Sequence, residues 1–157
     1  MDIIKKILVP VDFSDFSANA LKYANLFSEK INASLSVIFV IEPIVFPADF
    51  SMGQISLPSV DLDATKRSKT ELNEFVTKII PENKKVELII KTGKPFVEIN
   101  ETASEIDADL IIIATHGHTG VEHLLFGGTA EKVVRKAPCP VLSLREPIKG
   151  FKYKTCK

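Results

Sequence analysis

Five short apolar runs punctuate the chain: Ile7 to Val11, Val37 to Ile41, Val86 to Ile90, Leu110 to Ala114, and Val141 to Leu144. Most are continuous rather than alternating. A strand that is apolar on successive residues has no face to give to water, so it must be covered on both sides, as in a parallel sheet flanked by helices. The last run, VLSLR, does alternate and suits an edge or a pairing surface. Helical stripes lie between the runs. Phe16, Ala20, Tyr23, Ala24, Phe27 and Ile31 fall on one face after Ser14, a good N-cap. Leu72, Phe75, Val76, Ile79 and Ile80 make a second stripe that Pro81 ends. Phe96, Ile99, Ala103 and Ile106 make a third, opened by Pro95, and Ala130, Val133, Val134 and Ala137 a fourth. The order βαβαβαβαβ predicts an α/β sandwich with right-handed crossovers.

At 157 residues the chain is long enough to bury a core as one domain. Twenty basic residues balance twenty acidic ones, which gives no reason to expect nucleic acid as a partner. No apolar run reaches the eighteen or so residues that a membrane span needs, and MDIIKKILVPVD lacks the regions of a signal peptide. Two cysteines, Cys139 and Cys156, make no disulfide framework, so the cytoplasm is the expected compartment. Two segments depart from the regular plan. The stretch from Glu42 to Val60 is long, apolar and marked by prolines; it reads as a flap packed on the surface, over a ligand or at a subunit contact. Residues 147–157 form a short basic tail.

In open parallel sheets, ligands sit beyond the carboxyl ends of the strands, where strand order reverses. Pro10, Val11, Asp12, Phe13 and Ser14 follow the first run, and Val40 and the long loop the second. Thr115 to Gly120 follow the fourth, and Gly127, Gly128 and Thr129 open the last helical stripe. Amides at a helix start have no internal partner, and glycine lets an anion approach them without a Cβ in the way. Each charge-assisted bond of that kind contributes about 1.5–3 kcal/mol. The helix dipole adds roughly 0.3–1 kcal/mol. Glycine spacing alone leaves open whether these residues cradle a phosphate or only make tight turns.

Three blocks carry a wider likeness: ILVPVDFSDFSANAL, DADLIIIATHGHTG and LLFGGTAEKVVRKAPCPVL. Through them the chain resembles the universal stress protein (UspA-like) family over nearly its whole length. The resemblance implies a doubly wound, five-stranded parallel sheet in the order 3-2-1-4-5, Rossmann-like and similar to the adenine nucleotide alpha hydrolases. It implies a family domain over residues 1–146, and a homodimer in which the Val141–Leu144 strands pair. It also implies a role in the stress response as a nucleotide-dependent switch.

One branch of that family binds ATP through a motif of glycine, two residues, glycine, nine residues, glycine, then serine or threonine. Here the motif runs Ala114-Thr-His-Gly117, nine residues, Gly127-Gly128. The first glycine is Ala114 and the hydroxyl position is Gly128, with Thr129 beside it. A methyl at Ala114 that crowds a ligand at about 1 kcal/mol weakens binding only some fivefold. The resemblance therefore implies an adenine nucleotide, ATP or AMP, with Mg²⁺ or Mn²⁺ accompanying its phosphates. Pro10, Val11, Asp12, Val40 and Ile113 would hold the adenosine end. Ala114, Gly117, Gly127, Gly128, Thr129 and Ala130 would hold the phosphate end. Asp12 has a second reading as part of the helix cap near Ser14.

His116, His118 and His123 fall within eight residues, but no cysteine lies near them and only Glu122 offers a carboxylate, so no protein metal site is expected there. Cys139, between two prolines, reads as a buried structural thiol. No nucleophile elbow or Walker lysine motif is present in the sequence, so at most slow ATP hydrolysis is expected. The competing functional reading is a dimeric protein-interaction module without nucleotide.

Overall fold

The strands of this protein are built so that neighbouring residues enter two different cores. In the computed structural model, which describes residues 4–43, 62–81, 84–115 and 128–145, five strands form one parallel sheet. They are β1 (Lys6–Pro10), β2 (Ser34–Ile41), β3 (Val86–Thr92), β4 (Leu110–Ala114) and β5 (Val141–Leu144). The helices between them are α1 (Asp15–Ile31), α2 (Leu62–Thr77), α3 (Pro95–Glu105) and α4 (Gly128–Lys136). The sheet order is β3-β2-β1-β4-β5, the order expected above, with every adjacent pair parallel.

On one face Ile7, Val9, Leu35, Val37, Leu110 and Ile112 pack with Leu21 and Ala24 of α1 and Leu72 and Val76 of α2. On the other, Leu8, Ile38, Ile111 and Ile113 pack with Ile99 and Ala103 of α3 and Ala130 and Val133 of α4. Continuous apolar runs are the consequence of two cores fed by alternate residues. No helix among the described residues is long and apolar enough to cross a membrane.

Three local readings change. The buried row of α1 is Ser17, Ala20, Leu21, Ala24, Asn25 and Ser28; it includes Ala20 and Ala24 of the expected stripe, while Phe16, Phe27 and Ile31 are half-buried and Tyr23 is exposed. Leu21 is fully buried while Tyr23 is 45% exposed and stacks on Phe27 with centroids 6.2 Å apart. Small residues let α1 sit close to the sheet, and its buried polar groups have partners. The Lys84 ammonium donates to Asn25 Oδ1 and Ser28 Oγ, both at 2.7 Å, and so ties the turn after α2 to α1. On α4, Val134 is 46% exposed, because only Ala130 and Val133 of that short helix face the sheet squarely. Finally, α2 stops at Thr77, before Pro81; Ile79 and Ile80 both donate their N–H to the Val76 carbonyl, a tightened last turn that still buries Ile80.

Strand limits shift for similar reasons. Where the apolar run suggests Val37, β2 begins at Ser34, because Ser34 and Ser36 interrupt the pattern; the Ser36 hydroxyl donates to Glu87 Oε2 on β3 at 2.8 Å. At the amino ends of the strands, Asp109 Oδ2 accepts from the backbone N–H groups of Lys5 (2.8 Å) and Lys6 (2.9 Å), locking β4 to β1.

Candidate functional site

At the opposite rim, the strand order reverses between β1 and β4, and a cleft of about 370 Å³ opens there. Pro10, Val11 and Asp12 line it from β1, and Val40 from β2. Ile113 and Ala114 line it from β4, and Gly128, Thr129 and Ala130 from the start of α4. These are the described members of the expected site, brought together from four elements. Gly117 and Gly127 lie outside the described residues, as do His116, His118 and His123.

The Asp12 wall is shaped by the turn from β1 into α1. Val11 prolongs the sheet by donating its N–H to the Ile38 carbonyl at 2.9 Å. Phe13 then adopts φ 63°, a left-handed conformation that a bulky residue takes only when packing holds it there. That packing is visible: Phe13 lies 4.4 Å from the ring of Phe39 and meets Phe75 of α2 edge-on at 5.4 Å. Beyond it, Ser14 caps α1, its Oγ accepting from the Ser17 N–H at 3.2 Å. Asp12 Oδ1 in turn accepts from the Ser14 N–H (3.1 Å) and hydroxyl (2.5 Å). Asp12 thus serves the cap, as its second reading has it, and its carboxylate also lines the cleft.

The other wall is the start of α4. Gly128 is its first residue, and a Cβ placed there would meet no atom of the described residues within 4 Å, so among them the space beside the helix start is open. The first-turn amides lack intrahelical acceptors and carry the positive end of the dipole. Charge along the helix agrees, with Glu131 in the first turn and Arg135 and Lys136 in the last.

Several lining residues were not legible in advance: Ser17, Ile38, Phe39, Glu42, Pro95 and Ile99. Pro95 and Ile99 belong to α3, which crosses from β3 to β4 and so passes over the rim of β2 and β1; a right-handed crossover placed on this strand order is the signal that finds them. Glu42, just beyond β2, is the second carboxylate of the cleft after Asp12. Among the described residues no group of three or more His, Cys, Asp or Glu side chains is placed to hold a metal ion. Cys139 is half-buried against the α3–α4 core, and desolvation pushes its thiol above the ordinary range. It lies outside the cleft lining.

Carboxylates on the β1–β2 side, apolar strand ends between, and open amides at α4 suit a ligand with hydrogen-bond donors at one end and an anion at the other. Comparison with known proteins gives the family. Residues 4–145 match the model of the Universal stress protein family. The chain belongs to the universal stress protein family. Universal stress protein MJ0531 of Methanocaldococcus jannaschii is 36% identical over 153 residues, covering 94% of this chain and 86% of that protein. The structure of MJ0577 from the same organism superposes with a TM-score of 0.73 at 27% identity, covering 93% of this chain and 99% of that one. A universal stress protein from Archaeoglobus fulgidus, solved in complex with dAMP, shares the fold with a TM-score of 0.57 at 23% identity, over 90% of this chain and 98% of that one.

Proposed function

We propose that this universal stress protein binds an adenine nucleotide, ATP or AMP, in the cleft at the carboxyl rim, and acts in the cytoplasm as a homodimeric, nucleotide-dependent switch in the stress response. The observation that carries the reading is the pairing of a cleft of nucleotide size with an unobstructed helix start at Gly128. The adenosine end lies against Pro10, Val11, Val40 and Ile113, with Asp12 accepting from hydroxyl or amine hydrogens. The phosphates lie at Ala114, Gly128, Thr129 and Ala130, joined by Gly117 and Gly127. That a fold relative was solved with dAMP supports only that such a fold can take this kind of ligand.

A Mg²⁺ or Mn²⁺ ion, if it accompanies the phosphates, is held chiefly by them and by water. Among the described residues the cleft has two carboxylates to offer, Asp12 and Glu42, and one oxygen of Asp12 is engaged by Ser14. The family domain occupies residues 1–146 ahead of the basic tail. The dimer forms through β5, which pairs with β4 on one side only.

Isothermal titration calorimetry with ATP and AMP, with and without magnesium, tests the reading. Ligand at twenty times its dissociation constant stabilises the fold by about 1.8 kcal/mol and raises the melting temperature accordingly. No heat of binding and no thermal shift with either nucleotide overturns it.

A further inference from the structure

The described lining of the cleft contains Asp12 and Glu42 but no lysine or arginine. The amides at the start of α4 can serve one phosphate, but a di- or triphosphate carries further charge past the helix start and needs a cation there. Among the described residues, the first turns of α3 and α4 border that mouth through Pro95 and Gly128 to Ala130. Lys132 lies one turn beyond Thr129 on α4, and side chains on a helix lean toward its N-terminus, which aims this one at the cleft end of the helix. Its ammonium rests 5.1 Å from the centre of the Phe96 ring, and Phe96 is the neighbour of Pro95, a lining residue.

That resting place is a poor one for a charge. Lys136 sits over the same ring at 5.6 Å, so one aromatic quadrupole serves two like charges. Arg135 is paired with Glu131 at 3.0 Å, whereas among the described residues neither Lys132 nor Lys136 has an ion pair. An anion arriving at the mouth gives Lys132 a stronger partner than the ring and relieves the repulsion from Lys136.

We propose that Lys132 leaves Phe96 to contact the outer phosphates of a bound nucleotide, and so sets a preference for polyphosphate over monophosphate. This rests on the nucleotide reading above and adds the residue that selects phosphate chain length. Lys136, a turn farther from the cleft, stays on the ring.

Titration calorimetry of the full chain with ATP, AMP and adenosine, comparing wild type with Lys132→Gln, Lys136→Gln and, at the residue just before α3, Lys94→Gln, decides it; thermal melts without ligand report folding. Lys132→Gln is expected to weaken ATP about tenfold, the size of one partly exposed charge-assisted contact, while AMP moves less than about threefold and adenosine stays unchanged. Lys94→Gln is expected to leave all three ligands as in wild type, and Lys136→Gln, which only removes the repulsion, to weaken ATP less than about threefold. An unchanged ratio of ATP to AMP affinity in Lys132→Gln, an equal loss for adenosine, or a loss carried instead by Lys94 or Lys136 overturns the assignment while nucleotide binding itself stands. A wild-type protein that binds none of the three ligands overturns both.

Discussion

Replacing Gly128 by aspartate pushes stability and affinity in opposite directions. A Cβ at Gly128 meets none of the described residues and the backbone there is not left-handed, so the substitution brings no clash with them and no strain. Loss of glycine's freedom in the unfolded chain and a carboxylate in the first turn of α4 together stabilise the fold by about 0.5–1.5 kcal/mol. For a chain of this size that raises the melting temperature by roughly 2–5 °C. The same carboxylate stands where the phosphates are assigned. At about 5 Å, one unit of like charge costs between about 0.8 kcal/mol in water and 3.3 kcal/mol near a protein surface. The midpoint of about 2 kcal/mol weakens ATP roughly thirtyfold. Calorimetry with ATP and adenosine, alongside thermal melts of the apoprotein, reads both effects, with Gly128→Asn as the uncharged control of similar size. Adenosine binding is expected to change little. A folded Gly128→Asp protein that binds ATP like wild type removes the phosphates from the start of α4, and with them the assignment of this cleft.

Three further outcomes follow from particular contacts. The carbonyls of Pro140 and Leu144 accept from Ile111 and Thr115, so by the alternation of a parallel ladder the backbone groups of Ser143 face the open edge. Ser143→Pro is expected to give monomers by light scattering with little loss of stability, and a dimer that survives it rules out pairing through β5. Leu72→Ala, at a fully buried position, is expected to cost about 2–5 kcal/mol in urea unfolding. The two backbone N–H groups from Lys5 and Lys6 hold the Asp109 carboxyl below its usual range, so its contribution is present above about pH 4 and fades as pH falls through the lowered value. Urea midpoints between about pH 5 and 2.5 are therefore expected to drop more steeply for wild type than for Asp109→Asn; parallel curves contradict that role.

The parts of the fold legible beforehand are those where burial and apolarity coincide. LIIIA reads as a doubly covered strand and is β4, residue for residue. Ser34 and Ser36 concealed the start of β2 because one face of that segment satisfies its polar groups instead of excluding them. On α1 the hydrophobic stripe found Ala20 and Ala24 but missed Ser17, Asn25 and Ser28, which face inward for their small size or for a partner at Lys84, properties that periodicity does not register. At the cleft, Pro10, Val11, Asp12, Val40, Gly128 and Thr129 were readable from their place at strand ends and the α4 start, whereas Ile113, Ala114 and Ala130 came only through the family resemblance. Glu42, Pro95 and Ile99 were not readable, because their nearness depends on how α3 crosses the sheet and on nothing in their own neighbourhood.

Phe13 spends conformational energy, about 1–2 kcal/mol for a left-handed non-glycine residue, and gets it back from two rings carried by different elements. The joint that aims the carboxylate of Asp12 is therefore hinged on β2 through Phe39 and on α2 through Phe75. A displacement of the outer helix thus reaches the Asp12 wall of the cleft through three rings at the margin of the core they pack against.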